Sequence, residues 1–319
     1  MTRYLVTGGA GFIGSHVVET LLKRGKHVRV LDNFFTGKRE NLEAVRDDVE
    51  LIEGDVRDGA LCREVMEGVE AVVHLAALHE VVRSVEYPME THEVNVTGTL
   101  NLLTAARGAG VKKFVFASSS AVYGENPVIP RSESLLPSPT SSPYAVSKLA
   151  GEQYCQMFWS LYGSDTVCLR FFNVYGPRQD AASTYAAVIP KFIALLLAET
   201  APTIYGDGEQ SRDFTFIADC VSAVVAACEV PGLSGMVFNV GTGHRTTVNQ
   251  LCAILQKVLH TDLCPTYAPP QPGDLSHDQA DIERAKRVLS YRPQYDLACG
   301  LHETIRYMRL AQVLAKSQE

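Results

Sequence analysis

Residues 4–14 read YLVTGGAGFIG, and this stretch decides the fold because a short apolar run leads directly into three regularly spaced glycines. A helical pattern follows over residues 15–24, and a second apolar run, residues 28–31, ends at Asp32. The unit that binds dinucleotides has this order: a strand, a glycine loop, a helix, and a second strand that ends in an acidic residue. The sequence therefore predicts a dinucleotide site near the start of the chain.

The glycines of this loop and the acid each have a physical reason. Gly8 permits a tight turn, Gly11 lets the backbone approach a pyrophosphate, and Gly14 allows close packing of helix on strand. The N-terminus of the helix adds amide donors for the anion. Asp32 can accept hydrogen bonds from both ribose hydroxyls of the adenosine half and would repel a 2′-phosphate. We therefore expect NAD rather than NADP.

Further apolar runs alternate with helical patterns through the first half of the chain. They cover residues 49–52, 71–75, 114–117 and 167–172, with a long helix expected at about 93–109. Such alternation predicts an α/β fold, a doubly wound parallel Rossmann sheet covered by helices on both faces. Ligands bind beyond the carboxyl ends of such strands. Asp55 lies at one of these ends, where it could reach the adenine or form a turn.

After Asn173 the pattern changes to shorter elements joined by Pro-rich links. We interpret residues 1–175 as the NAD-binding domain and residues 176–319 as a smaller C-terminal lobe, with some segments returning to the first domain. A cleft between the two is the usual place for a substrate.

Composition narrows the function classes. The net charge is −7 without blocks of like charge, which indicates neither a nucleic-acid nor an anionic-membrane partner. No apolar run approaches the roughly 20 residues of a membrane span, and the immediate start of a strand leaves no room for a signal peptide. The eight cysteines are scattered without metal-ligand spacing. We expect a cytoplasmic protein with no metal site.

A second stretch, residues 118–148, predicts chemistry. Three serines, Ser118 to Ser120, follow an apolar strand, and Tyr144 precedes Lys148 by four positions at a helix start. Residues four apart share one helix face, so the Lys148 ammonium can lie beneath the Tyr144 phenol. A nearby cation favours the phenolate and should lower the pKa of Tyr144 towards neutrality. The same spacing also occurs by chance on many helices.

Several ordered motifs together resemble one family. TGGAGFIGSH, Asp32, SSSAVYG, SPYAVSK, RFFNVYGPRQ and GDGEQSRDF are similar to the extended short-chain dehydrogenase/reductase family, in particular to NAD-dependent UDP-sugar 4-epimerases. The resemblance covers nearly the whole chain. It implies a Rossmann domain that holds NAD, a smaller lobe that holds a UDP-sugar, and a homodimer formed through two helices of the first domain.

The resemblance also implies residue roles. Ser119, Tyr144 and Lys148 correspond to the catalytic set, with Ser120 sharing the duty of Ser119 because the register of the serines is uncertain by one. The residues expected to contact the cofactor are Gly8, Gly11, Phe12, Ile13, Gly14, Asp32, Asn33, Asp55, Val56, Leu75, Ala76, Ala77, Asn95, Tyr144 and Lys148. The residues expected to contact the substrate are Ser119, Ser120, Asn173, Val188, Tyr205, Arg212, Gln271 and Asp274.

Some of these assignments have alternatives. Arg212, expected at the diphosphate, could instead pair with Glu209 or Asp213, and Asn173 could be a turn residue. Three sites depart from the family. Gln271 stands where an Arg usually binds the diphosphate, and Leu275-Ser276 replace a second common Arg. Asp278 stands where some epimerases carry a Tyr that restricts the sugar pocket. Asp is smaller, which could admit an acetamido group, but it is charged.

The choice of chemistry rests on positions 120 and 121. Dehydratases of the family that this chain resembles typically carry an Asp-Glu pair directly after the strand-end hydroxyl. Decarboxylases of that family carry a Glu at the second of these positions. This chain has Ser120 and Ala121 there. The resemblance therefore favours C4 epimerisation through a transient 4-keto sugar. Another nucleotide-sugar enzyme, or a non-catalytic protein that binds NAD or a nucleotide sugar, is the alternative. Residues 182–191 are most similar to epimerases of UDP-N-acetylhexosamines, while glucose/galactose and the uronates stay open.

Overall fold

A computed structural model of the chain describes residues 3–135, 142–181, 186–270 and 277–316. Its strands are β1 (Arg3–Thr7), β2 (His27–Asp32), β3 (Val49–Glu53), β4 (Ala71–His74), β5 (Lys113–Ser119), β6 (Thr166–Phe171), β7 (Val174–Tyr175), β8 (Thr203–Tyr205), β9 (Ser211–Arg212), β10 (Thr215–Phe216), β11 (Met236–Val240), β12 (Thr246–Thr247) and β13 (Thr266–Ala268).

Helices connect most of these strands. They are α1 (Phe12–Lys23), α2 (Gly59–Glu64), α3 (Val81–Glu86), α4 (Pro88–His92), α5 (Gly98–Gly108), α6 (Pro143–Tyr162), α7 (Val188–Leu197), α8 (Ile217–Glu229), α9 (Val248–Leu259), α10 (Glu283–Val288) and α11 (Leu297–Lys316). A π-helical turn, Glu93–Thr97, joins α4 to α5. The helix expected at 93–109 therefore begins earlier and is continuous through this wider turn.

Seven strands form one parallel sheet in the order β11-β6-β5-β4-β1-β2-β3. This confirms the predicted Rossmann architecture. Strand order reverses between β1 and β4, because the chain builds outward from β1 to β3 and then crosses to the other side. A crevice opens at such a reversal beyond the carboxyl ends of the strands. The glycine loop after β1 and the segment after β4 therefore border the same crevice.

Both faces of the sheet are buried, which explains the continuous apolar strands. On β1, Tyr4 and Val6 join the core beneath α1 and α8, whereas Leu5 joins the core beneath α2, α5 and α6. The same alternation sends Val115 to the first core and Phe116 to the second. Each fully buried Val, Leu or Phe contributes about 1.5–3 kcal/mol, so the two cores fix the positions of the central strands.

The second half of the chain contributes to both parts of the molecule. Strand β11 is the edge strand of the main sheet beside β6, and α8 packs against α1. The small sheets β7·β10, β8·β13 and β9·β12 lie in the C-terminal part of the chain together with α7, α9 and α11. Strand β11 and helix α8 therefore pack with the main sheet although they lie in the second half of the chain.

Candidate active site

The glycine loop after β1 is held in a conformation that side chains would block. Gly8 has φ +69°, and a Cβ there would lie 2.7 Å from the Ala76 nitrogen. A Cβ at Gly14 would lie 2.0 Å from the Gly8 carbonyl oxygen. Helix α1 begins after Gly11, which has no side chain with which to cap it. The first amides of α1 therefore form a cradle that suits a pyrophosphate.

Asp32 lies at the end of β2 and is almost fully buried. Its carboxylate accepts hydrogen bonds from the amides of Ala10, at 2.9 Å, and Phe34, at 2.8 Å. Burial raises the pKa of Asp32, while the two amide bonds oppose that shift. A carboxylate has about four acceptor positions, so this one retains capacity for two ribose hydroxyls.

Asn33 and Asp55 are brought together across the ends of β2 and β3. The Asn33 amide donates to Asp55 at 2.9 Å, and Arg57 donates to the same carboxylate through its guanidinium and its backbone amide, each at 2.8 Å. The Arg57 hydrogen bond lowers the pKa of Asp55 to about 2. Asp55 therefore forms the turn that the sequence allowed as its alternative role, and beside it Val56 is buried.

The segment after β4 carries Leu75, Ala76 and Ala77 into the crevice. The Leu75 and Ala76 amides donate to Thr7 on the neighbouring β1, at 3.1 and 3.3 Å. Asn95 lies behind this segment and is 2 % exposed. It accepts from the Leu78 amide at 2.8 Å and donates to the Leu78 carbonyl and to the Ser147 hydroxyl, both at 2.9 Å. Both amide protons of Asn95 are thus used to hold the crevice wall.

Tyr144 and Lys148 lie in the first two turns of α6, which Ser142 caps by accepting from the Ala145 amide at 3.2 Å. The Lys148 ammonium donates to the Ala117 carbonyl at 2.8 Å and lies 5.9 Å from the centre of the Tyr144 ring. Burial lowers the pKa of Lys148 to about 8.

The pKa of Tyr144 is shifted in the direction opposite to our expectation. Burial raises it, and a hydrogen bond with Ser119 opposes that shift. The prediction that Lys148 lowers this pKa below its ordinary value is therefore wrong. The physical reason is that burial removes water from the phenolate, and this desolvation outweighs the Ser119 hydrogen bond that favours the phenolate.

The three serines after β5 have three different partners. Ser118 is buried and donates to Glu152 on α6. Ser119 accepts from the Ala121 amide at 3.2 Å and interacts with the Tyr144 phenol, favouring its ionised form. Ser120 donates to Asp278 at 2.8 Å. The structure thus distinguishes Ser119, which lies beside the phenol, from Ser120, whose proton is directed to the C-terminal part of the chain.

We call Ser120, Arg131, Asn173 and Asp278 the Asp278 cluster. The Arg131 guanidinium lies 2.9 Å from one oxygen of Asp278, and the other oxygen accepts from Ser120 and, at 3.5 Å, from Asn173. Arg131 and Asp278 are each 2 % exposed. Burial raises the pKa of Asp278, whereas Ser120, Arg131 and nearby Arg212 oppose that shift. No sequence pattern pointed to Arg131, which follows a proline in a loop.

A buried polar network supports this cluster from behind. Arg170 donates twice to Glu152, at 2.8 and 2.7 Å, and lies over the Tyr123 ring. The Tyr123 hydroxyl donates to Asn239 at 2.7 Å, and Asn239 donates to the Arg131 carbonyl at the same distance. The network links β5, α6, β6 and β11, so the serines cannot shift independently of the sheet.

The remaining substrate candidates lie in the C-terminal part of the chain. Arg212 pairs through β9 with β12 and donates to the Ser211 carbonyl at 2.9 Å. The acids considered as its alternative partners have other donors: Asp213 accepts from Thr242, Gly243 and Ala280, and Glu209 from Asn249. Val188 begins α7, and partly exposed Tyr205 ends β8. Gln271 and Asp274 lie outside the described residues, as do residues 182–185.

The loop that ends the RFFNVYGPRQ motif joins the two parts of the molecule. Arg178 forms an ion pair with Glu19 on α1, and the Pro177 carbonyl lies 3.0 Å from the His16 ring nitrogen. Lys38 and Asp180 lie 3.6 Å apart. Pro177 and Arg178 are thus fixed on the helix that follows the glycine loop.

Neither a membrane-spanning helix nor a cluster of metal ligands occurs among the described residues. None of their helices combines the length and apolarity that a membrane span requires. Within the same residues, His, Cys, Asp and Glu side chains do not come together in a group of three or more that could hold a metal ion.

Comparison with known proteins supports this geometry. A family model described as "NAD dependent epimerase/dehydratase family" matches residues 4–241. A UDP-glucose 4-epimerase from Mycolicibacterium smegmatis is 42% identical over 311 residues, covering 96% of this chain and 98% of its own. A UDP-N-acetyl-alpha-D-glucosaminuronate decarboxylase from Bacillus cytotoxicus is 33% identical over 317 residues, with coverage of 96% and 98%. The solved UDP-N-acetylglucosamine 4-epimerase from Methanobrevibacter ruminantium M1, in complex with UDP-N-acetylmuramic acid, has a TM-score of 0.93 at 41% identity and covers 98% of this chain and 99% of its own.

Proposed function

This chain belongs to the NAD-dependent epimerase/dehydratase family, and on that premise we propose that it interconverts the C4 epimers of a UDP-hexose. The sugar is either the glucose/galactose pair or the N-acetylhexosamine pair. The observation that carries the proposal is the contact of Ser119 with Tyr144 above Lys148, at the crevice bordered by the glycine loop.

The residues of the crevice fit NAD. The cradle of Gly8, Gly11 and Gly14 suits its pyrophosphate, and the free acceptor positions of Asp32 suit the adenosine ribose. Asn33, Asp55 and Val56 would border the adenine. Asn95 would act by positioning the wall at Leu78 rather than by contact. Bound NAD supplies a hydride acceptor that later returns the hydride, together with a positive charge in the same crevice.

The protein's own task is to move one proton and to let the sugar turn. Tyr144 would take the proton of the 4-hydroxyl, held in place by Ser119, and would return it after the hydride comes back. Lys148 would favour the phenolate from below. Because epimerisation exposes both faces of a 4-keto sugar, the nucleotide must be held firmly and the hexose loosely. Arg212, Asn173, Val188 and Tyr205 are proposed to hold the UDP part.

The second candidate is sugar-acid decarboxylation, the activity in the name of one relative. Position 121, next to the serines, is an alanine and has no proton to exchange. Ser120 beside it is engaged with Asp278. Neither residue supplies the additional acid or base that this chemistry needs, which favours epimerisation.

A panel of UDP-sugars followed by NMR tests the proposal. The purified protein should convert UDP-glucose or UDP-N-acetylglucosamine to a mixture with its C4 epimer, without release of CO2 or loss of water. The Tyr144→Phe variant is the matched control for contaminating activity. If no sugar of the panel changes at C4 while NAD remains bound, the protein is a binding protein rather than an epimerase.

We also propose that two copies pair through α5 and α6. Leu161, which is 68% exposed near the end of α6, and Val146 near its start are apolar side chains that such pairing would cover. Sedimentation velocity should give a mass of twice 34.8 kDa. A monomer at micromolar concentration would contradict the pairing.

A further inference from the structure

We infer that the Asp278 cluster restricts the enzyme to neutral hexoses by turning Ser120 into an obligate hydrogen-bond acceptor. The inference rests on the proposed function and names the substrate class of that same site. It concerns this chain's own residues, because neither Arg131 nor its pairing with Asp278 follows from the catalytic set.

The proton of Ser120 is used in a hydrogen bond within the protein. A serine hydroxyl has one donor and two acceptor positions. An ionised carboxylate can only accept, so the 2.8 Å contact between Ser120 and Asp278 uses the single proton of the serine. The guanidinium of Arg131, 2.9 Å from the other carboxylate oxygen, favours the ionised form of Asp278.

Of Ser120, Asp278 and Arg131, Ser120 lies nearest to the crevice. Arg131 and Asp278 are buried, and Arg131 lies against the enclosed Tyr123 ring, whereas Ser120 is partly exposed directly after Ser119. From the crevice inward, the order is therefore Ser120, Asp278, Arg131. A ligand beside Tyr144 meets the lone pairs of Ser120, with a carboxylate immediately behind them.

A ligand can satisfy Ser120 only if it donates a hydrogen bond. A sugar hydroxyl or an acetamido N–H can donate to Ser120. A uronate carboxylate has no proton to donate and would face both the lone pairs of Ser120 and the negative charge of Asp278. A substrate that leaves a buried polar group of the site without a hydrogen-bond partner is disfavoured in kcat/KM by a factor of about 10² or more. Neutral hexoses are thus accepted and uronates rejected.

The test compares kcat/KM for UDP-glucose, UDP-N-acetylglucosamine and UDP-glucuronate at constant NAD occupancy. The wild-type protein should prefer its better neutral substrate over UDP-glucuronate by at least about 100-fold. Asp278→Asn leaves the shape but frees the Ser120 proton, so turnover of UDP-glucuronate should rise at least about tenfold. Ser120→Ala should instead lower turnover of the neutral sugar, about three- to tenfold, with UDP binding unchanged.

Ser118→Ala is the matched control, because Ser118 lies on the same strand but faces Glu152. It should leave the preference unchanged. Asp278→Asn also leaves the charge of Arg131 unpaired, which could destabilise the protein or attract a carboxylate by itself. The double variant Arg131→Gln/Asp278→Asn keeps the cluster neutral and decides between these effects. It should show the same relaxed preference as the single variant.

Three results would overturn the inference while the proposed function stands. They are efficient epimerisation of UDP-glucuronate by the wild-type protein, an unchanged preference in Asp278→Asn, and a return to wild-type preference in the double variant. Failure of the wild-type protein to change any UDP-sugar at C4 would instead overturn the proposed function.

Discussion

The glycine-loop side of the crevice and the Asp278 cluster are built in opposite ways. The glycine loop, Asp32 and Asn33 come from one continuous stretch, and their partners are mostly backbone amides a few residues away. Ser120 and Asp278 are 158 positions apart, and Arg131 reaches the same carboxylate from a third segment. A site of the first kind is encoded locally, whereas one of the second kind exists only when distant segments have packed.

The two sides also differ in electrostatics. Asp55 and Arg57 form a partly exposed pair, which solvent screens. Arg131 and Asp278 form a buried pair, in which each charge depends on the other. We therefore expect substitutions on the glycine-loop side to alter the affinity for NAD. Substitutions in the Asp278 cluster should instead alter the free energy of unfolding and the preference among UDP-sugars.

Tyr144→Phe should have the largest effect, because Tyr144 serves both sides of the crevice. Loss of the proton acceptor should lower kcat for epimerisation by about 10² to 10⁴. NAD should remain bound, since the ring still packs. Stopped or quenched NMR assays measure the rate, and absorbance of the released cofactor measures occupancy. Near wild-type turnover in a folded variant would contradict the proton-transfer role.

Arg131→Met should cause the next largest loss, of stability rather than of affinity. Removing one partner of a buried ion pair costs about 3–5 kcal/mol, because Asp278 is left as an uncompensated charge. Arg57→Met breaks the exposed pair with Asp55 and should cost about 0–1 kcal/mol. Urea denaturation monitored by circular dichroism measures both. Equal losses in the two variants would remove the contrast drawn here.

Asp32→Ala should weaken NAD binding and reduce discrimination against NADP. Loss of charge-assisted hydrogen bonds to the ribose costs about 1.5–3 kcal/mol, or roughly 10- to 150-fold in affinity. Calorimetric titration of both cofactors into protein stripped of NAD provides the numbers. Asn33→Ala is the neighbouring control, with a smaller expected change. Equal affinity of the wild-type protein for NAD and NADP would show that Asp32 does not select the cofactor.

Lys148→Met should move the pH profile of kcat upward by about one unit. Tyr144 must lose its proton to act, burial already raises its pKa, and removal of the cation raises it further. Because the pKa of Lys148 is about 8, its charge is present below that pH and fades above it. The two proteins should therefore differ most below pH 8 and converge at higher pH. A constant difference between pH 6 and 10 would assign Lys148 a structural role.

Much of the glycine-loop side could be predicted from the sequence alone. Residues 4–14 and Asp32 stand in a spacing whose geometry is set by one turn, one helix and one strand. Short-range patterns also predicted two other features. The helical period placed Tyr144 and Lys148 on one face of α6, and the alternation of strands and helices indicated a parallel sheet.

Only the tertiary structure decided the rest. It sent Ser118, Ser119 and Ser120 to three different partners, paired Arg131 with Asp278, and brought β11 back beside β6. It also reversed the expected direction of the Tyr144 pKa, because burial depends on what packs around a side chain and not on its neighbour four positions away. The sequence determined which groups are available for chemistry, and long-range packing determined what each of them faces.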